Sequence, residues 1–242
     1  MFNKYLLVLV LVAATGSSFS APVANLKING EVIPPTCTIN SVEQADLVFE
    51  FGTVAPKEIP ASGKGYNFLP SLKNDLTVLC DAKTYLTFKP VDMYTNEFIM
   101  PPNMPVTYDS HVFKMVDAAA PEKTIGGITY MWLDVYADGV PAFLSRANDG
   151  TNDSGQWARA NWFVKNATIG WTKKQQIAVP RSELDLISAK EFKASIYNYT
   201  GVGYGYSGTY ILPVSELTKQ GIDISEGVNY TSNVALVFNF GI

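Results

Sequence analysis

The chain has 242 residues, 47% hydrophobic and only 17% charged, with 18 basic and 22 acidic side chains and a single histidine. That apolar content is ample for a packed core. The net charge of −4 argues against nucleic acid or an anionic membrane as partner, because either selects a basic face.

Residues 1–20 read as a signal peptide. Lys4 supplies the positive charge, Tyr5 to Ala14 form the apolar core, and Gly16-Ser17-Ser18-Phe19-Ser20 offer small residues for cleavage after Ser20. The apolar run is too short to span a bilayer and no similar run follows, so the expectation is an exported chain with no transmembrane segment. Residues 21–242 carry no long Pro/Ser/Gly linker and no internal repeat, and read as a single domain with elaborated loops. In an oxidising compartment the two cysteines, Cys37 and Cys80, most simply form one disulfide. Zinc or redox chemistry is a poor competitor: there is no CxxC, and His111 has no ligand type beside it.

In chain order, Leu26, Ile28 and Val32 alternate with Lys27, Asn29 and Glu31, and Leu47-Val48-Phe49-Glu50-Phe51 precedes Gly52. Leu76 to Cys80 reads as a strand, Asp81-Ala82-Lys83 as a break, and Tyr85 to Phe88 as the next strand. Ile128 to Tyr136 reads as one strand ending at Ala137-Asp138-Gly139. Phe192 to Tyr197 and Val234 to Phe240 complete the set. Period-two alternation with β-branched and aromatic residues makes the chain all-β. Helical signals are confined to Ser182–Ile187 and Pro213–Leu217.

The residues single out no catalytic site, and the chain reads as a non-enzyme. A nucleophile and base at Asp109-Ser110-His111 would have to come from sequence neighbours, which rarely reach a relay geometry. The oxygen-rich loop Asp149 to Gly155 fails the EF-hand pattern, with Ser154 at position six and Ala160 at position twelve. The reading therefore assigns no metal and no cofactor.

Leu26-Lys27-Ile28-Asn29-Gly30-Glu31-Val32-Ile33-Pro34-Pro35-Thr36-Cys37 resembles the opening strand of chaperone–usher fimbrial subunits, and Phe51-Gly52-Thr53-Val54 resembles their next landmark. Leu76 to Asp81 resembles the strand that delivers their second cysteine. The chain is also similar to a subset of longer fimbrial-type proteins of unknown function, through Pro34-Pro35, Cys80-Asp81-Ala82 and Lys123-Thr124-Ile125-Gly126. The likeness is good over residues 25–88, fair at 123–136 and 211–240, and weak between.

This resemblance implies an immunoglobulin-like pilin β-sandwich that lacks its final strand. It implies as partners a periplasmic chaperone, an outer-membrane usher and other fimbrial subunits, and passage through the periplasm to a fimbrium or the cell surface. In that family a lent strand fills a groove beside the C-terminal strand, which here places Val234, Leu236, Phe238 and Phe240 along it. Cleavage after Ser20 leaves only Ala21-Pro22-Val23-Ala24-Asn25 ahead of Leu26, about 17 Å when extended. The expectation is a chain that accepts a strand without giving one.

An alternative of another class is a stand-alone secreted sandwich that binds a host-cell glycan or receptor through residues 157–210. Its candidate ligand contacts are Trp157, Trp162, Trp171, Tyr204 and Tyr206, since such rings stack on sugars at low side-chain entropy cost. Burial of the same rings in a β core competes with that role.

Overall fold

The longest regular element is a single 20-residue strand. The computed structural model describes residues 35–95, 97–102, 106–150, 158–201 and 208–240. Within them run β1 (Cys37–Ile39), β2 (Lys73–Asp92), β3 (Phe113–Asp117), β4 (Thr124–Ile128), β5 (Tyr130–Ala137) and β6 (Val140–Pro141). There follow β7 (Phe143–Ala147), β8 (Ile169–Thr172), β9 (Ile177–Val179), β10 (Ser188–Asn198) and β11 (Tyr210–Ile211). A six-residue helix, α1 (Val214–Lys219), precedes β12 (Tyr230–Thr231) and β13 (Val234–Phe240). All of these elements belong to one compact unit, Pro34–Ile242. The Leu26–Val32 run and the proposed signal lie outside the described residues.

β2 joins two ladders. Its first half is flanked by β1 on one edge, with Cys37 opposite Cys80, and by β10 on the other, with Phe192 opposite Val78. Its second half is flanked by β13, with Phe238 opposite Phe88, and by β8, with Ile169 opposite Phe88. The sheet runs β6-β5-β10-β2-β8-β7-β9, with β1 and β13 also paired to β2. A second sheet, β11-β4-β3-β12, packs over it, and Leu76, Val78, Leu86 and Phe88 of β2 share one core with Phe113, Met115 and Ile128. The result is an all-β, sandwich-like fold.

Several elements differ from the sequence reading. Asp81-Ala82-Lys83 does not end a strand: the three residues are exposed and stay extended, and the register of β10 shifts between Ala189 and Glu191 beside them. Conversely, Ile128 to Tyr136 is two strands. Ile128 ends β4 in the second sheet and Tyr130 starts β5 in the first, so Thr129 carries the chain between layers. Leu47 to Phe51 has its alternate residues half-buried, yet it forms no strand and joins no ladder among the described residues. Ser182–Ile187 holds only one 3-10 turn, Arg181–Glu183. The β5–β6 turn is Asp138-Gly139, both at positive φ (48° and 75°), the backbone that a two-residue hairpin requires.

Cys37 and Cys80 are bonded at 2.03 Å and are direct cross-strand partners, so the bridge clamps the short β1 to β2. Closing a loop of this length stabilises the folded chain by about 4 kcal/mol on the loop-entropy account. Replacing both cysteines by serine is expected to cost about that much in urea unfolding; an unchanged midpoint would show that β1 is held by its ladder alone.

Candidate functional site

Among the described residues β13 is paired on one side only. Its residues, from Val234 opposite Asp92 to Phe240 opposite Leu86, bond to β2. Among the described residues no backbone hydrogen bond reaches its other edge. That edge borders a groove of about 1120 Å³, walled across from β13 by residues 44–54. Leu47–Phe51 is part of that wall. Phe49 holds it in place by packing edge-on against Tyr130 at 5.3 Å, and the Val48 carbonyl accepts a hydrogen bond from Asn74 Nδ2 at 2.7 Å. The floor is made of core side chains from both sheets, among them Leu76, Met115, Ile128 and Phe163.

The alternation of β13 sets which side chains face this space. Val234, Leu236 and Phe238 line the groove and are only half-buried, although each packs against the core. Phe238 tilts against Phe88 at 5.6 Å. Phe240, grouped with these three in the sequence reading, is 45% exposed and is not among the lining residues. Val237, 48% exposed, points away from the groove. Among the described residues β13 thus leaves its outer backbone groups unbonded along a trough floored by core side chains. Such an edge pairs readily with any further strand.

The aromatic residues considered for ligand binding are placed differently. Trp171 is fully buried between Phe88 and Phe192, its Nε1 donating to the Lys193 carbonyl at 3.2 Å. Trp162 is 4% exposed, packed between His111 and Tyr199 with the Arg159 guanidinium 5.5 Å from its ring. Neither ring offers a face to a ligand: Trp171 is covered within the main core and Trp162 within a smaller cluster with Ala158, Val164 and Ala167. Trp157, Tyr204 and Tyr206 lie outside the described residues.

Asp149 spends its carboxylate inside the fold: Oδ1 accepts from the Thr168 amide and Oδ2 from the Thr168 hydroxyl, with Lys89 Nζ at 3.0 Å. Among the described residues no three His, Cys, Asp or Glu side chains gather as metal ligands. No described helix is long and apolar enough to cross a membrane.

Ser110 and His111 do meet, Oγ to Nδ1 at 3.2 Å, but both are sealed from solvent at 1% and 0% exposure. The His111 ring lies between Tyr108 and Trp162, and its Nε2 finds no hydrogen-bond partner. Burial first, then the charges of Arg146 and Lys165, hold the imidazole down to about 4, with Asp109 the one opposing charge.

The chain matches no family model, no curated protein and no solved structure.

The buried imidazole has a consequence for acid stability. Its folded value lies below its unfolded 6.5, so the stability tied to the neutral ring is present above that pH and is lost as pH falls toward 4. Between pH 7 and 5 this comes to about 2 kcal/mol. His111→Gln is expected to flatten urea-derived stability over that interval relative to the parent chain. Equal slopes for the two would remove His111 as the cause.

Proposed function

We propose that the protein is an exported, non-enzymatic fimbrial-type subunit that completes its fold by accepting a strand from another chain. The one observation that carries this reading is that β13, among the described residues, is paired on one side only and lies along a groove floored by core side chains. An incoming extended segment would bond to the unused backbone groups of β13 and cover Val234, Leu236 and Phe238. Main-chain bonds would supply affinity, and alternate side chains entering the groove would supply specificity. Left open, the same edge invites aggregation, which is why a chaperone that lends a strand would precede assembly. The resemblance of residues 25–88 to chaperone–usher subunits, the signal-like residues 1–20 and the Cys37–Cys80 bridge support the same reading. The partners on this account are a periplasmic chaperone, the usher and neighbouring subunits, and the destination is the cell surface.

Expression in the periplasm, alone and beside a fimbrial chaperone of the same genome, tests the proposal by gel filtration. The expected result is a soluble one-to-one complex that forms only with the chaperone. A stable monomer formed alone would overturn it. Leu236→Asp places a charge on the groove wall and is expected to lower chaperone co-purification at least ten-fold, the effect of about 1.4 kcal/mol. Val237→Asp, on the outward face of the same strand, is the matched control.

A further inference from the structure

At the C-terminal end of β2 two lysines and two aspartates meet inside the fold. Lys165 Nζ lies 2.8 Å from Asp109 Oδ1 and 3.3 Å from Asp92 Oδ2. Lys114 Nζ lies 3.6 Å from the same Asp92 oxygen and donates to the Tyr94 carbonyl at 2.9 Å. The side chains of Lys165 and Asp92 are each 7% exposed and that of Lys114 is 10% exposed. Rings of Phe98 and Phe113 stand 5.0 and 5.8 Å from Lys165 Nζ and keep water from it.

The fold holds these groups in register. The Lys165 amide donates to the Ser110 carbonyl at 2.7 Å, one residue from Asp109, and the Asn166 amide donates to the Pro90 carbonyl at 2.8 Å, two residues from Asp92. Asp92 is itself fixed, with Oδ1 accepting from the Tyr94 amide and Oδ2 from the Lys114 amide. An amine and a carboxyl held at contact distance by their own backbones react with the advantage of a very high effective concentration. Two buried ions also cost several kcal/mol each in lost hydration, which good pairing only partly returns.

We propose that Lys165 and Asp109 condense within the folded chain to an intramolecular amide, with Asp92 as the acid–base group. Proton transfer from the Lys165 ammonium, by way of Asp92, to the Asp109 carboxylate gives the amine and the acid between which the bond forms. The amine lone pair attacks Asp109 Cγ and the C–N bond forms. Asp92 takes a proton from the new ammonium centre and returns it to the departing hydroxyl, the C–O bond breaks, and water leaves. One ammonium and one carboxylate become one amide and one water, nothing is oxidised or reduced, and Asp92 is regenerated. Asp109, with 34% of its side chain exposed, gives the water an exit. The product leaves Lys114 and Asp92 as a charge-balanced pair. It ties residues 56 apart in sequence, as the disulfide ties Cys37 to Cys80, and it does not depend on the strand-accepting reading.

The test is the mass of the exported protein after denaturation and disulfide reduction, followed by peptide mapping. The parent chain is expected to weigh one water less than its sequence and to yield a branched peptide joining the Asp109 and Lys165 segments. Asp109→Asn is expected to form the same amide by losing ammonia, and so to match the cross-linked parent in mass. Asp109→Ala and Lys165→Arg are expected at full sequence mass. A parent chain at full mass, with the two segments recovered as separate peptides, overturns the proposal whatever the variants do. An Asp92→Asn chain that cross-links as the parent does would remove Asp92 from the acid–base role.

Discussion

Everything else in the molecule is hung on the backbone of β2. Its 20 residues of continuous extended chain carry hydrogen bonds on both edges over two separate stretches. The first stretch takes β1 and β10, the second β13 and β8. Its apolar positions, Leu76, Val78, Leu86 and Phe88, are at most 1% exposed and reach into one core. A strand bonded on both edges and buried along one face has no freedom to slip, because a one-residue shift would turn its buried side chains outward. The disulfide then fixes the N-terminal ladder to it at Cys80.

From this the open edge follows. β13 occupies the flank of β2's second half and has no further neighbour among the described residues. The chain also brings Leu47–Phe51 to the trough, but among the described residues leaves it outside both ladders. A sandwich in that condition exposes core side chains along one slot instead of across a surface. On the proposed reading the slot suits a strand rather than a small ligand, since among the described residues the outer backbone groups of β13 along it are unbonded. Trp162 and Trp171, which a carbohydrate reading would need at the surface, are meanwhile spent on the core.

The polar interior follows the same logic. β2 ends at Asp92, which turns its carboxylate inward to meet Lys114 of β3 and Lys165 ahead of β8. Ion pairs this deep are tolerated only with close geometry and full hydrogen bonding, and each member here is pinned by a main-chain bond of its own or of a neighbouring residue. His111, a short step away in sequence from Asp109, is kept neutral by the same surroundings. Sheet ends that gather charge inside the fold are where chemistry between side chains becomes accessible.

The residues themselves determined the fold class, because period-two alternation with aromatic and β-branched side chains has few other outcomes. They also determined β10, β13 and the cysteine pair, whose signals are local or arithmetical. They misplaced the boundaries of β2 because an exposed Asp-Ala-Lys stretch has the composition of a turn, whether or not the chain bends there. They merged β4 with β5 because Thr129 bears no breaking signal. Alternation records which face of a strand is buried, but not which strand lies beside it. Only the tertiary structure therefore decided that β13 has one neighbour among the described residues, that Leu47–Phe51 walls a groove and that Phe240 lies outside it. The same holds for Asp92, Asp109, Lys114 and Lys165, which meet through long-range packing that no sequence spacing encodes.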